Sequence, residues 1–159
     1  MTKFLTLILL AVTTNSYAQP DYSNSDWKNF AKAITTSSRE KINIAVNKIT
    51  NNDIRYLALA RSADSKEKTN NATSQIHSPD IKYLALAITA DSRQKIADAT
   101  SRIQNMDLKY LAFAKTADSK QKINDAISKI SKSQIKTLAL AITADNINDI
   151  EKYTEAISN

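Results

Sequence analysis

Side chains able to do acid–base, nucleophilic or metal chemistry are few in this chain. There is one histidine, His77, and there is no cysteine and no glycine. A histidine-based triad and a His/Cys metal set both need more partners than that. A phosphate-cradling loop needs glycine. The carboxylates remain, and they are periodic: Asp53, Asp80 and Asp107 recur every 27 residues, and Asp64, Asp91, Asp118 and Asp145 follow eleven residues behind a corresponding unit start. A carboxylate just ahead of an apolar run serves to accept hydrogen bonds from the orphan amides of a helix start, and both sets are expected as N-caps. Glu67, Gln94 and Gln121 stand three residues after members of the second set, the spacing of a capping box. With the acids so engaged, the expectation is a protein that is not an enzyme, with no catalytic residues, no cofactor and no metal. Asn71-Ala72-Thr73 matches a glycosylation sequon, but it falls inside an expected helix.

The elements that position these residues are copies of one another. Asp80-Ile81-Lys82-Tyr83-Leu84-Ala85-Leu86-Ala87 has near copies beginning at Asp53, Asp107 and Gln134 and a degenerate one at Asp26. Five units, 26–52, 53–79, 80–106, 107–133 and 134–159, follow without insertion. In each, the first apolar run reads as a helix, since alanine favours helices and disfavours strands. It is apolar nearly all round (Ile81, Leu84, Ala85, Leu86, Ala87, Ile88), which predicts packing between neighbours and not on the surface. The second run carries one stripe at helical spacing: Ile42, Ala45, Val46 and Ile49; Ile96, Ala99, Thr100 and Ile103; Ile123, Ala126, Ile127 and Ile130.

One unbroken helix is excluded by geometry. At about 100° per residue, 27 residues make about seven and a half turns, and successive stripes would face opposite ways. Breaks are therefore expected at Asn51-Asn52, His77-Ser78-Pro79 and Asn105-Met106, with asparagine serving as a left-handed cap in place of glycine. A lone hairpin of this size buries too little apolar surface to hold itself, so the units must stack. The expected fold is all-α, an α-solenoid of five 27-residue helical hairpins. Its end units should be polar outward, as Lys32 and Thr36 at one end and Asn146, Asn148 and Tyr153 at the other suggest.

Ahead of the repeats, residues 1–18 have the form of a cleavable signal peptide: Lys3, an apolar run from Phe4 to Val12, then Ser16-Tyr17-Ala18. Residues 19–25 are expected as a disordered lead-in. Export to the periplasm or beyond follows, with no transmembrane segment in the repeats. Loss of Lys3 with the signal would lower the formal charge from +6 to +5.

Stacking aligns basic residues into columns: Lys28, Arg55, Lys82, Lys109 and Lys136; Arg39, Lys66, Arg93 and Lys120; Lys41, Lys68, Lys95 and Lys122. One reading is local pairing, supported for the third column by the i, i+4 spacing of Asp64 with Lys68 and Asp91 with Lys95. The other is a positive ribbon for an extended anionic partner. Tyr56, Tyr83 and Tyr110, beside the first column, suit neighbour packing better than base stacking. The first two columns and these tyrosines form the candidate binding surface. The expected partner is a protein, the alternative an anionic envelope polymer, with nucleic acid disfavoured. The position occupied by Ile34, Arg61, Ile88, Lys115 and Ile142 alternates between apolar and basic, and the pattern itself offers no account of that.

Overall fold

The computed structural model describes residues 22–157. They form ten helices and, among the described residues, no strand. The five hairpins are α1 (Asn24–Ile34) with α2 (Arg39–Asn47), α3 (Asn52–Ser62) with α4 (Lys66–Ser74), α5 (Pro79–Thr89) with α6 (Arg93–Ser101), α7 (Met106–Thr116) with α8 (Lys120–Ser128), and α9 (Ser133–Thr143) with α10 (Ile147–Ala156). The expected signal segment lies outside the described residues. So does the start of the expected lead-in, but its last four residues belong to the folded body: Ser23 caps α1, Asn24 opens it, and the Tyr22 ring stands edge-on to Trp27 at 5.6 Å.

Capping differs from the sequence expectation by two residues at the first helices and by one at the second helices. The first-helix caps are Ser23, Asn51, Ser78 and Asn105, each accepting from an amide three residues on. Those of the second helices are Ser38, Ser65, Ser92, Ser119 and Asn146. Asp64, Asp91, Asp118 and Asp145 sit immediately before these caps, so the capping-box register fails. No described residue has positive φ, and Asn51 and Asn105 are extended caps of the next helix, not left-handed caps of the previous one.

Asp53, Asp80 and Asp107, displaced from the cap, reach to the turn that closes their own unit and leads into the next first helix. Asp53 accepts from the amides of His77 (2.8 Å) and Ser78 (3.1 Å), Asp80 from Gln104 (2.7 Å) and Asn105 (3.1 Å), and Asp107 from Ser131 (2.7 Å) and Lys132 (3.1 Å). Asp26, buried, does the same for Thr50 (2.6 Å) and Asn51 (3.3 Å). The aspartate thus holds the turn between two hairpins and stands near a helix N-terminus whose dipole favours its charge. It is a unit-to-unit latch.

The odd-numbered helices run parallel, because each is followed by an antiparallel partner after a short loop. They pack α1 on α3, α3 on α5, α5 on α7 and α7 on α9, and α1 also packs on α9 and touches α10. The repeat is therefore closed. Five first helices form an inner ring, and each second helix lies outside, against its own partner and the next unit's first helix. The expected free, polar end units are absent, since units one and five meet: Lys28 and Lys32 place their ammonium groups 2.7 and 2.8 Å from the Glu155 carboxylate. Close approach in the ring is allowed by paired small residues, Ala31/Ala33, Ala58/Ala60, Ala85/Ala87, Ala112/Ala114 and Ala139/Ala141, all buried. Trp27, Phe30, Ile54, Leu57, Ile81, Leu84, Leu111 and Leu138 complete one continuous core.

The expected second-helix stripe is present. Ala45, Val46 and Ile49, Ala99, Thr100 and Ile103, and Ala126, Ile127 and Ile130 are buried, while Ile42 and Ile123 are half-buried against the core. No helix among the described residues is long and apolar enough to cross a membrane.

Candidate binding surface

The expected binding columns separate into paired and unpaired residues. In the second column, Arg39, Arg93 and Lys120 each reach the aspartate before the next unit's outer helix: Asp64, Asp118 (3.4 Å) and Asp145 (3.4 Å). Lys66 adds to the positive field at Asp91. The third column pairs within its own unit, Lys68 with Asp64 (2.8 Å), Lys95 with Asp91 (2.7 Å) and Lys122 with Asp118 (2.8 Å). Hydrogen bonds from these lysines hold the three carboxyls below the usual aspartate range. Because each aspartate has given up the cap to a serine, its oxygens are available to cations from two units. Six of the eight cations in these two columns are thus ion-paired to four aspartates, which laces the belt with pairs and reduces its positive excess.

The first column, near the N-terminal mouth of the ring, is different. Lys28 is engaged by Glu155, and Arg55 donates twice to the Ile49 carbonyl (3.0 and 2.6 Å), closing the C-terminus of α2. The ammonium groups of Lys82, Lys109 and Lys136 form no ion pair with any described residue. Tyr22 crosses the same mouth to hydrogen-bond Ser78, the cap of α5, and burial pushes its hydroxyl pKa up.

Tyr56, Tyr83 and Tyr110 are half-buried and pack on the core. The Arg102 guanidinium lies 5.6 Å from the Tyr83 ring centroid and donates to its hydroxyl (3.3 Å), and the Lys129 ammonium lies 5.5 Å from the Tyr110 centroid. A ring face covered by a cation of its own unit is not open to a stacking base. Tyr83 and Tyr110 are thus covered by cations of their own units, and all three tyrosines pack against the core.

What the sequence did not reveal is a set of grooves. The outer helices do not pack on one another, so a furrow runs between each consecutive pair, floored by the inner helix between them. Between α4 and α6 the floor is Tyr83 and Leu86, with Lys66 and Asp98 on the walls; between α6 and α8 it is Tyr110 and Phe113, with Arg93 and Asp125 on the walls. Leu59 (37%), Leu86 (40%) and Phe113 (42%) occupy equivalent positions and stay partly open to solvent. The first helices are not buried on all sides as expected, because a closed ring covers their inner and lateral faces but leaves the outward stripe between two separated outer helices. Lys32, the unit-one residue at this position, was the available signal. A lysine tolerated there reports exposure along the whole column, not only at an end unit. A further groove spans the seam between α2 and α10, with Ile44 and Ile147 exposed along it.

His77 is exposed in its turn, with Nδ1 3.9 Å from Asp53. Ala72 and Thr73 of the sequon are buried within α4. No cluster of His, Cys, Asp and Glu among the described residues could hold a metal ion. Comparison with protein-family models, with curated proteins and with solved structures finds no match to this chain.

Proposed function

We propose that this protein is an exported, non-enzymatic binding scaffold whose outer grooves receive amphipathic segments of a protein partner. The observation that carries the reading is the column of partly exposed apolar side chains, Leu59, Leu86 and Phe113, on the groove floors. Solvent-facing apolar residues aligned in furrows and rimmed by charge suit helix-in-groove recognition. Support for a non-enzymatic role comes from the carboxylates, whose latching and ion-pair geometry leaves no acid/base pair converging on a cavity. Support for export comes from the form of residues 1–18.

The test is capture from an envelope or secreted fraction, with a photocrosslinker replacing Leu86 and with Leu86→Asp and Phe113→Asp as controls. Retention of a defined protein by the wild type and its loss in both folded variants is expected. Equal capture by wild type and variants, or none by either, would reject the groove as the binding surface.

A second reading, binding of an anionic polymer at the N-terminal mouth, is favoured by the unpaired Lys82, Lys109 and Lys136. It requires affinity that falls steeply with added salt and that the triple change of these lysines to glutamate abolishes. Salt-independent binding would eliminate it.

A further inference from the structure

The opposite mouth of the ring carries two cations, Arg61 and Lys115, that line no groove described above and form no ion pair among the described residues. We infer that the C-terminal mouth of the inner ring binds a carboxylate carried on a short apolar body, held between Arg61 and Lys115.

These residues occupy equivalent positions in the last turns of α3 and α7, two helices that do not pack on each other. Both positions face the ring interior, and the Lys115 ammonium is lowered in pKa by burial first and by the charge of Arg61 second. Lys115 donates to the Ile142 carbonyl of α9 at 2.7 Å. The Nε of Arg61 is shielded from solvent and has no hydrogen-bond partner among the described residues. Neither cation has a carboxylate partner among them. Two like charges at a low-dielectric site without a countercharge are unfavourable, and an unsatisfied buried donor calls for a specific account.

The fold does not need cations there. Ile34, Ile88 and Ile142 fill the same position in the other three units, so isoleucine closes the mouth well enough where it occurs. Arg61 supplies a planar fork suited to a carboxylate, Lys115 a point charge, and the three isoleucines an apolar rim. The ligand charge is limited by the surroundings. Five parallel helices end at this mouth, and their C-terminal partial negative charges favour the cations but oppose a dianion. The hydroxyls of Thr35, Ser62, Thr89, Thr116 and Thr143 already donate to carbonyls one turn back (2.7–2.8 Å) and offer the ligand no further donors. A monoanionic alkyl carboxylate therefore fits better than phosphate.

The experiment is calorimetric and NMR titration of the purified protein with hexanoate, hexanol, hexylammonium and inorganic phosphate at constant ionic strength. Saturable hexanoate binding is expected, weakened about tenfold or more in Arg61→Ile/Lys115→Ile, as loss of charge-assisted hydrogen bonds implies. Hexanol, hexylammonium and phosphate should each bind at least about tenfold more weakly than hexanoate. Leu86→Asp, in an outer groove, should leave hexanoate binding unchanged, which separates this site from the grooves. The inference is overturned by absent hexanoate binding, by undiminished binding in the folded double variant, or by phosphate, hexanol or hexylammonium binding as tightly.

Discussion

Lys28 and Glu155, 127 residues apart in the chain, face each other across the junction of the first and last hairpins, with Nζ 2.7 Å from Oε2. Lys32 approaches the other oxygen at 2.8 Å. This clasp marks the place where a linear repeat becomes a ring.

The clasp has a defined pH signature. Hydrogen bonds from Lys28 and then Lys32 hold the Glu155 carboxyl at about 2, below its ordinary 4.5. A depressed folded-state value means the stabilisation is complete above 4.5 and is lost as pH falls from there towards 2. Glu155 is exposed, so the contribution is screened, on the order of 1 kcal/mol. Thermal melts of wild type and Glu155→Gln should differ at pH 7, in low salt, and converge near pH 2. A constant difference across that range would show that the carboxylate charge is not what closes the seam.

Latching aspartates should matter more than any surface ion pair. Asp107→Ala leaves the amides of Ser131 and Lys132 without their acceptor, and unsatisfied donors in partly buried turns cost roughly 1–3 kcal/mol each. Urea unfolding should show a loss of about 2–6 kcal/mol with little change in slope. Lys122→Ala, which removes an exposed i, i+4 pair, should leave the urea midpoint almost unchanged.

Replacing the interior cations should stabilise the ring. Lys115→Ile exchanges a desolvated ammonium for the side chain present at that position in three units, and relief of that desolvation should outweigh the lost hydrogen bond to Ile142. The pH dependence has a sign. Lys115 titrates below its ordinary 10.5 in the folded state, so its penalty is fully present at neutral pH and is relieved as pH rises through the folded value towards 10.5. The advantage of Lys115→Ile, measured by denaturant unfolding, should therefore shrink between neutral pH and pH 10.5.

The groove floors should tolerate charge without unfolding. Leu86→Asp and Phe113→Asp change side chains that are about 40% exposed, so each should cost no more than about 1 kcal/mol of stability. Circular dichroism should retain the helical signal while partner capture is lost. Cooperative unfolding of either variant at room temperature would mean that these residues belong to the core.

From the residue order alone the period, the helical character of both runs, the hairpin breaks and the buried stripe of the second helices could be read, because each rests on spacing within about one unit. The caps stand two residues before the expected aspartates in the first helices and one residue after them in the second. Aspartate and serine are both good caps, and only the position of the unit-closing turn's amides shows that Asp53, Asp80 and Asp107 are used elsewhere. Ring closure was beyond reach for a related reason. It depends on each hairpin turning by roughly a fifth of a circle against its neighbour, a sum over five interfaces that no local pattern records. Closure in turn pairs Lys28 with Glu155, brings Arg61 and Lys115 together from non-adjacent helices, and turns Leu59, Leu86 and Phe113 outward. The alternation at Ile34, Arg61, Ile88, Lys115 and Ile142 had no meaning along a line; it acquired one when five equivalent positions were brought to a common mouth.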